Sequence, residues 1–178
     1  MFVSEIKKEA PQNFRTELQK RVYKTLSEMK IPFERVDTDV VITMEDCEEI
    51  NKKLDMKMVK TLFLTNRQQT AFYLFITAGD KPFRSKDFSE KMGISRLSFA
   101  PAEKMAEILG TEIGAATVFS LLLPTAEYVT PVFDREVLSE EYYGCSDGTT
   151  TGYLKIKTSD ITDVFLKNLG IHITEVSV

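Results

Sequence analysis

The chain has no tryptophan, one histidine and two cysteines among its 178 residues. Each shortage removes a class of chemistry. Cys47 and Cys145 lie far apart and neither has a CxxC partner, so neither a disulfide framework nor a zinc site is expected. The one imidazole, His172, sits between Ile171 and Ile173 close to the end of the chain. That setting suits a structural residue better than a base, so histidine-dependent triads and His-ligated metals are poor candidates. No apolar run approaches the roughly 20 residues of a membrane helix. The opening residues, Met1 to Lys8, lack the long apolar stretch of a signal peptide. A cytoplasmic protein is expected. No GxGxxG or Walker-type loop occurs, which removes the usual grounds for a nucleotide cofactor; no cofactor or metal is expected.

What is present is an ordinary globular mixture, 43% hydrophobic and 28% charged. A chain of this length buries about 70% of its unfolded surface, and one domain over residues 1–178 is the expectation. The net charge of −4 argues against a broad, non-specific nucleic-acid surface. It leaves room for a local basic rim. Lys52, Lys53, Lys57 and Lys60 cluster together, with Arg67 just beyond. Lys81, Arg84, Lys86, Lys91 and Arg96 form a second group. Either group also reads as a plain solvated face.

Hydrophobic spacing places the elements. Phe14, Leu18, Val22 and Leu26 form one stripe on a helix from about Asn13 to Met29, which Ile31-Pro32 ends. Phe33 to Val36 reads as a short strand. Thr43-Met44-Glu45-Asp46 fits a capping box ahead of a second helix. Strands at Lys60–Thr65 and Ala71–Thr77 flank the polar loop Asn66–Thr70, a hairpin pattern. A helix from Ser85 stops at Gly93. Arg96–Phe99 is a brief strand, and Pro101 and Gly110 bracket another helix. Further strands are expected at Thr117–Leu123, Val129–Phe133 and Tyr153–Lys157. A last helix from Thr158-Ser159-Asp160 buries Ile161, Val164, Phe165 and Leu169. The expected class is α/β, leaning to α+β, with a mixed central sheet packed with helices rather than a regular doubly wound fold.

Within this pattern Lys60 stands out, a cation in the otherwise apolar run Val59-Lys60-Thr61-Leu62-Phe63-Leu64. The next strand, Ala71–Ile76, is almost wholly apolar, so the pair belongs in a sheet covered on both faces. An ammonium there loses water and keeps its charge only where an anion or several acceptors meet it. The plainer reading is a side chain that snorkels to solvent or pairs with a carboxylate.

Taken in order, four segments resemble the YbaK/ProX family of aminoacyl-tRNA deacylases, relatives of the editing domain of bacterial prolyl-tRNA synthetase. Val59–Leu64 resembles the family's "hKNLFL". Arg96-Leu97-Ser98-Phe99-Ala100 resembles "RLSFA". Leu109-Gly110 with Ile113-Gly114-Ala115-Ala116-Thr117-Val118-Phe119 is similar to "LG…PGSVTPF", and Thr149-Thr150-Thr151 with Thr158-Ser159-Asp160 is similar to the closing segment. The resemblance runs from about Tyr23 to Leu169 and is nearest the ProX branch. It departs from the pattern in three places. Asp37-Thr38-Asp39 stands where a histidine is usual. Ile113 and Val118 replace prolines. Cys145-Ser146-Asp147 and Thr150 replace the "fHP" and asparagine.

The resemblance implies hydrolysis of the ester between a wrong amino acid and the terminal adenosine of tRNA, with alanine on proline tRNA the branch's usual substrate. It makes Lys60 the candidate catalytic residue, holding the terminal phosphate or ribose. Gly114, Ala115 and Ala116 become the turn lining the amino-acid pocket, with N–H groups for the carbonyl oxygen. Thr38, Ser146 and Thr150 become candidate substrate contacts. The implied partner is the aminoacylated 3′ acceptor end of tRNA, with prolyl-tRNA synthetase a further open one and no membrane. An activated ester needs a positioned water and a stabilised oxyanion, so neither a nucleophilic side chain nor a metal is required. Two alternatives stay open. One is a weakened or inactive relative that binds tRNA or an amino acid as a regulatory module. The other is an unrelated hydrolase using Cys145 or Ser146, although no base is visible and Gly144–Gly148 reads better as a turn.

Overall fold

In the computed structural model, which describes residues 1–178, the first helix is α1, Glu17–Glu28. Thr16 starts it by accepting from the Gln19 N–H at 3.0 Å, the work of a threonine N-cap. Leu18, Val22 and Leu26 are its buried face. Phe14 precedes the helix, in contact with Tyr23, so the stripe runs one position beyond the element. Strand β1, Glu34–Asp37, follows. The capping box forms as a reciprocal pair. Thr43 N–H donates to the Asp46 carboxylate at 3.2 Å and Asp46 N–H to the Thr43 hydroxyl oxygen at 3.3 Å. It launches a 3₁₀ turn, Glu45–Cys47, that continues into α2, Glu48–Leu54.

The hairpin is β2, Val59–Thr65, antiparallel to β3, Phe72–Ala78, with Lys60 opposite Thr77. Next come α3, Ser85–Met92, ended by Gly93 at φ 67°, and β4, Ser98–Phe99. Helix α4, Ala102–Lys104, runs into a π-helical turn, Met105–Leu109, that closes at Gly110. The remaining elements are β5, Val129–Asp134, α5, Arg135–Leu138, β6, Tyr142–Ser146, and β7, Gly152–Lys157. A π-helical segment, Asp160–Leu166, and β8, Thr174–Val176, end the chain's regular structure. Five strands form one mixed sheet, in the order β4-β2-β3-β5-β8, and β1-β7-β6 form a second, antiparallel one.

Two expectations are corrected. Thr117–Leu123 is not a strand: Val118–Leu122 is a 3₁₀ helix that Thr117 caps. A short apolar run does not distinguish a buried strand from a buried helical turn. Here Ser120 settles it by donating its hydroxyl to the Leu109 carbonyl at 2.7 Å, while Val118 and Phe119 fill the core. Gly144–Gly148 is not simply a turn either. Gly144, Cys145 and Ser146 pair with Lys155, Leu154 and Tyr153 as the end of β6, and the connection to β7 begins only at Asp147. That carboxylate is buried, yet it accepts from Gln19 Nε2 at 2.9 Å, Tyr23 OH at 2.8 Å and the Thr149 hydroxyl at 2.7 Å. Those donors repay its lost water and pin the connection to α1.

The feature that positions the site is a gap along β2. On the side away from β3, Met58 bridges to Gly144 of β6, and Ala100 N–H reaches the Phe63 carbonyl at 2.9 Å. Strand β4 pairs only with Leu64 and Thr65. Residues 59–62 therefore keep an uncovered edge.

Candidate active site

That edge lines a cavity of about 400 Å³. Lys60, Gly114 and Ser146 all line it, with Ala116, so four of the residues singled out in the sequence meet in one place. Most of the wall is apolar, and Lys60 carries the only formal charge among the lining residues. The cation is partly buried. Burial lowers its pKa, and the nearby Asp80 carboxylate only partly opposes this. Its ammonium donates to the backbone carbonyl of Lys81, in the turn after β3, which supplies an acceptor but no counter-charge.

The glycine turn supplies donors. Gly114 takes φ +90°, a conformation that L side chains rarely adopt, and a Cβ there would lie 3.2 Å from the Ile42 Cα. Ala115 N–H donates to the Glu112 carbonyl at 3.1 Å. The N–H groups of Gly114 and Ala116 donate to no acceptor in the protein, and both residues line the cavity. Ser146 holds this turn in place: its hydroxyl donates to the Ala115 carbonyl at 3.1 Å and accepts from Gly148 N–H at 2.9 Å. With both bonds made, Ser146 is a strut at the wall.

The other sequence candidates lie outside the lining. Ala115 is fully buried. Thr150 braces the base of the turn, its hydroxyl 3.4 Å from Glu112 Oε1 and its carbonyl accepting from Val41 N–H at 2.9 Å. Thr38 donates its hydroxyl to the Asp39 carbonyl at 2.6 Å. The structure instead brings Thr43, Thr61 and Tyr153 to the wall. The capping-box signal marks Thr43 in the sequence only as a helix start; nothing there marks the other two. Cys47 and Cys145 are among the residues that line the same cavity. Burial pushes Cys47 up to about 11 and Cys145 further up, so neither is a thiolate at neutral pH. His172 is exposed and lies outside the cavity.

An apolar chamber with one cation, free backbone donors and hydroxyls suits a neutral carbonyl compound tethered to an anion. The model of the aminoacyl-tRNA editing domain matches residues 38–164, well over half of the chain. This chain belongs to the aminoacyl-tRNA editing family. As a member it is an aminoacyl-tRNA deacylase that edits mischarged tRNA. The editing protein is 25% identical, over 143 residues, to the prolyl-tRNA editing protein ProX of Acetoanaerobium sticklandii, covering 80% of this chain and 87% of that one. It is also 25% identical, over 147 residues, to the prolyl-tRNA synthetase associated domain-containing protein 1 of Danio rerio, covering 82% and 79%. A solved structure described as a candidate trans-editing enzyme for prolyl tRNA synthetase matches with a TM-score of 0.67 at 16% identity, over 93% of the editing protein and 99% of its own chain. That last likeness is one of fold. No helix of the editing protein is long and apolar enough to cross a membrane.

Proposed function

We propose that this protein, acting in trans in the cytoplasm as one editing domain over residues 1–178, hydrolyses alanine from mischarged proline tRNA. The observation that carries the reading is that one largely apolar cavity is lined both by Lys60, its only charged residue, and by a turn offering two unused N–H groups. Lys60 leaves the Lys81 carbonyl to hold the terminal phosphate or ribose. The ester carbonyl oxygen then faces the N–H groups of Gly114 and Ala116, where donors fixed before reaction are worth most. A water, held by the substrate's own 2′-hydroxyl, adds to the carbonyl carbon. The tetrahedral intermediate collapses with cleavage of the bond to the 3′ oxygen, which takes up the proton the water gives. Free amino acid and tRNA leave. The reaction needs no metal because the ester is already activated, and the wall offers neither carboxylate nor imidazole as a ligand.

Alanine suits the small apolar space, and the relatives named for prolyl-tRNA editing support proline tRNA as the carrier. They also support prolyl-tRNA synthetase as the partner that releases this substrate. The test is single-turnover deacylation of Ala-tRNA(Pro) and Pro-tRNA(Pro) by wild type and Lys60→Ala. Faster release of alanine, lost in the variant, is the expected result. Equal rates for the two proteins remove Lys60 from the mechanism, and tight binding without turnover leaves a regulatory module in place of an enzyme.

A further inference from the structure

We infer that Phe99 is the platform on which the terminal adenine of the tRNA stacks, and that Arg84 and Arg96 receive the phosphates leading to it. The inference rests on the editing reading and adds a seat for the nucleobase and a direction of approach.

Phe99 lines the cavity and is nevertheless 62% exposed. It sits on the two-residue strand β4, fixed by pairing with Leu64. Its ring meets Phe83 edge-on at 5.7 Å, and Phe83 in turn lies 5.9 Å from Phe75 and 6.1 Å from Phe88. A ring backed by an aromatic cluster and open to water is a fixed π-surface, which is what an unpaired base stacks on. Ile42 and Ile113, 59% and 61% exposed, line the same cavity and extend the apolar mouth. Phe99 pairs with Leu64, four residues along β2 from Lys60, or about 13 Å. A nucleoside with its aminoacyl ester spans that length.

Charge fixes the direction. Beyond Met58 and Val59, at the far end of the cavity, lies a second one of about 480 Å³ lined by Glu45, Glu48, Asp80, Glu136 and Glu140. Its one cation, Lys57, is paired with Glu140 at 2.8 Å. A polyanion is repelled there. At the β4 end, Arg84 and Arg96 are exposed, and neither makes an ion pair or a side-chain hydrogen bond. They belong to one corner, because Ser85 donates its hydroxyl to the Leu97 carbonyl. Arginines left free beside an exposed aromatic fit the backbone of a single strand.

The test uses an acceptor minihelix with 2-aminopurine in place of the last adenine, whose fluorescence is quenched by stacking. Wild type and Phe99→Trp are expected to quench it on binding. Phe99→Leu, which keeps apolar bulk without a π-face, should lose the quenching and bind about tenfold more weakly. Its KM for mischarged tRNA should rise similarly while kcat stays within about twofold, since the ring touches no reacting atom. Arg84→Ala and Arg96→Ala should each lower the slope of log affinity against log salt by about 0.7. Quenching and KM unchanged in Phe99→Leu overturn the platform, and unchanged slopes remove the arginines. If wild type leaves mischarged tRNA intact, the editing reading fails alone, and the minihelix fluorescence still decides the role of Phe99.

Discussion

At the scale of single residues, the role proposed for Lys60 and the stability of the fold are set against each other. Folding lowers its pKa chiefly by burial, so the charged form costs stability at neutral pH, and that cost disappears as pH rises through the folded value. Lys60→Met should therefore keep or raise the melting temperature while kcat/KM falls about 10- to 100-fold, the worth of a hydrogen bond from a charged donor. The pH profile of the wild type should decline on its alkaline side below the ordinary lysine value of about 10.4, and the variant should lack that limb. A variant that loses stability and activity together would make Lys60 a structural residue. Gly114 behaves in the opposite way. A Cβ there meets Ile42 and forces a side chain into φ +90°, so Gly114→Ala should cost about 1–2 kcal/mol in urea unfolding. Displacing its N–H from the carbonyl oxygen should lower kcat about 100-fold. Loss of stability with full kcat would exclude the turn from the chemistry.

At the scale of elements, the site depends on helical segments that carry none of its chemistry. Phe165, in the π-helical segment before β8, is fully buried and meets Phe119 at 4.8 Å, edge to face. Phe119 lies in the 3₁₀ helix that follows the glycine turn. Phe165→Ala should destabilise by about 3–5 kcal/mol in urea unfolding, and a cost under about 1 kcal/mol would mean that the core refills the space. This contact also marks where the sequence was legible. The β2–β3 hairpin is plain because a polar loop of hairpin length separates two apolar runs, and α3 is plain because Gly93 stops it. The cavity is half legible: Lys60 and Gly114 stand out by type, while Thr61 and Tyr153 are ordinary strand residues. Thr61 reaches the wall because β4 stops short and leaves residues 59–62 uncovered, and Tyr153 reaches it from β7 of the other sheet. That geometry depends on pairing between segments distant in the chain, which local pattern does not encode. The same limit hid β6, whose Cys145 and Ser146 look like turn residues beside two glycines, and it made Val118–Leu122 resemble a strand.

At the scale of the whole molecule, the carboxylate of Asp134 ties the large sheet to the turn that receives Lys60. It accepts from the Thr77 hydroxyl of β3 and from the Lys81 ammonium, both at 2.8 Å, and from Glu136 N–H at 3.2 Å, which caps α5. Lys81 also reaches Glu136 at 3.1 Å, and its carbonyl receives Lys60. One buried acid thus fixes the turn whose carbonyl receives the Lys60 ammonium. Burial pushes this carboxyl up, but the bonds from Lys81 and Thr77 outweigh it and hold the pKa below the usual range. A value lowered by folding gives stability that is complete above the unfolded pKa, about 3.9, and is lost as pH falls through the folded value. Acid unfolding should therefore show a limb below about pH 4 that Asp134→Asn flattens. At neutral pH the same variant should lose about 2 kcal/mol, because Lys81 and Thr77 lose a charged acceptor. Since the substitution also loosens the Lys81 turn, kcat/KM should fall without any change to a residue of the cavity wall. Acid limbs that coincide in the two proteins would mean that other carboxylates, Asp37 between Lys7 and Arg35 foremost, govern the acid response.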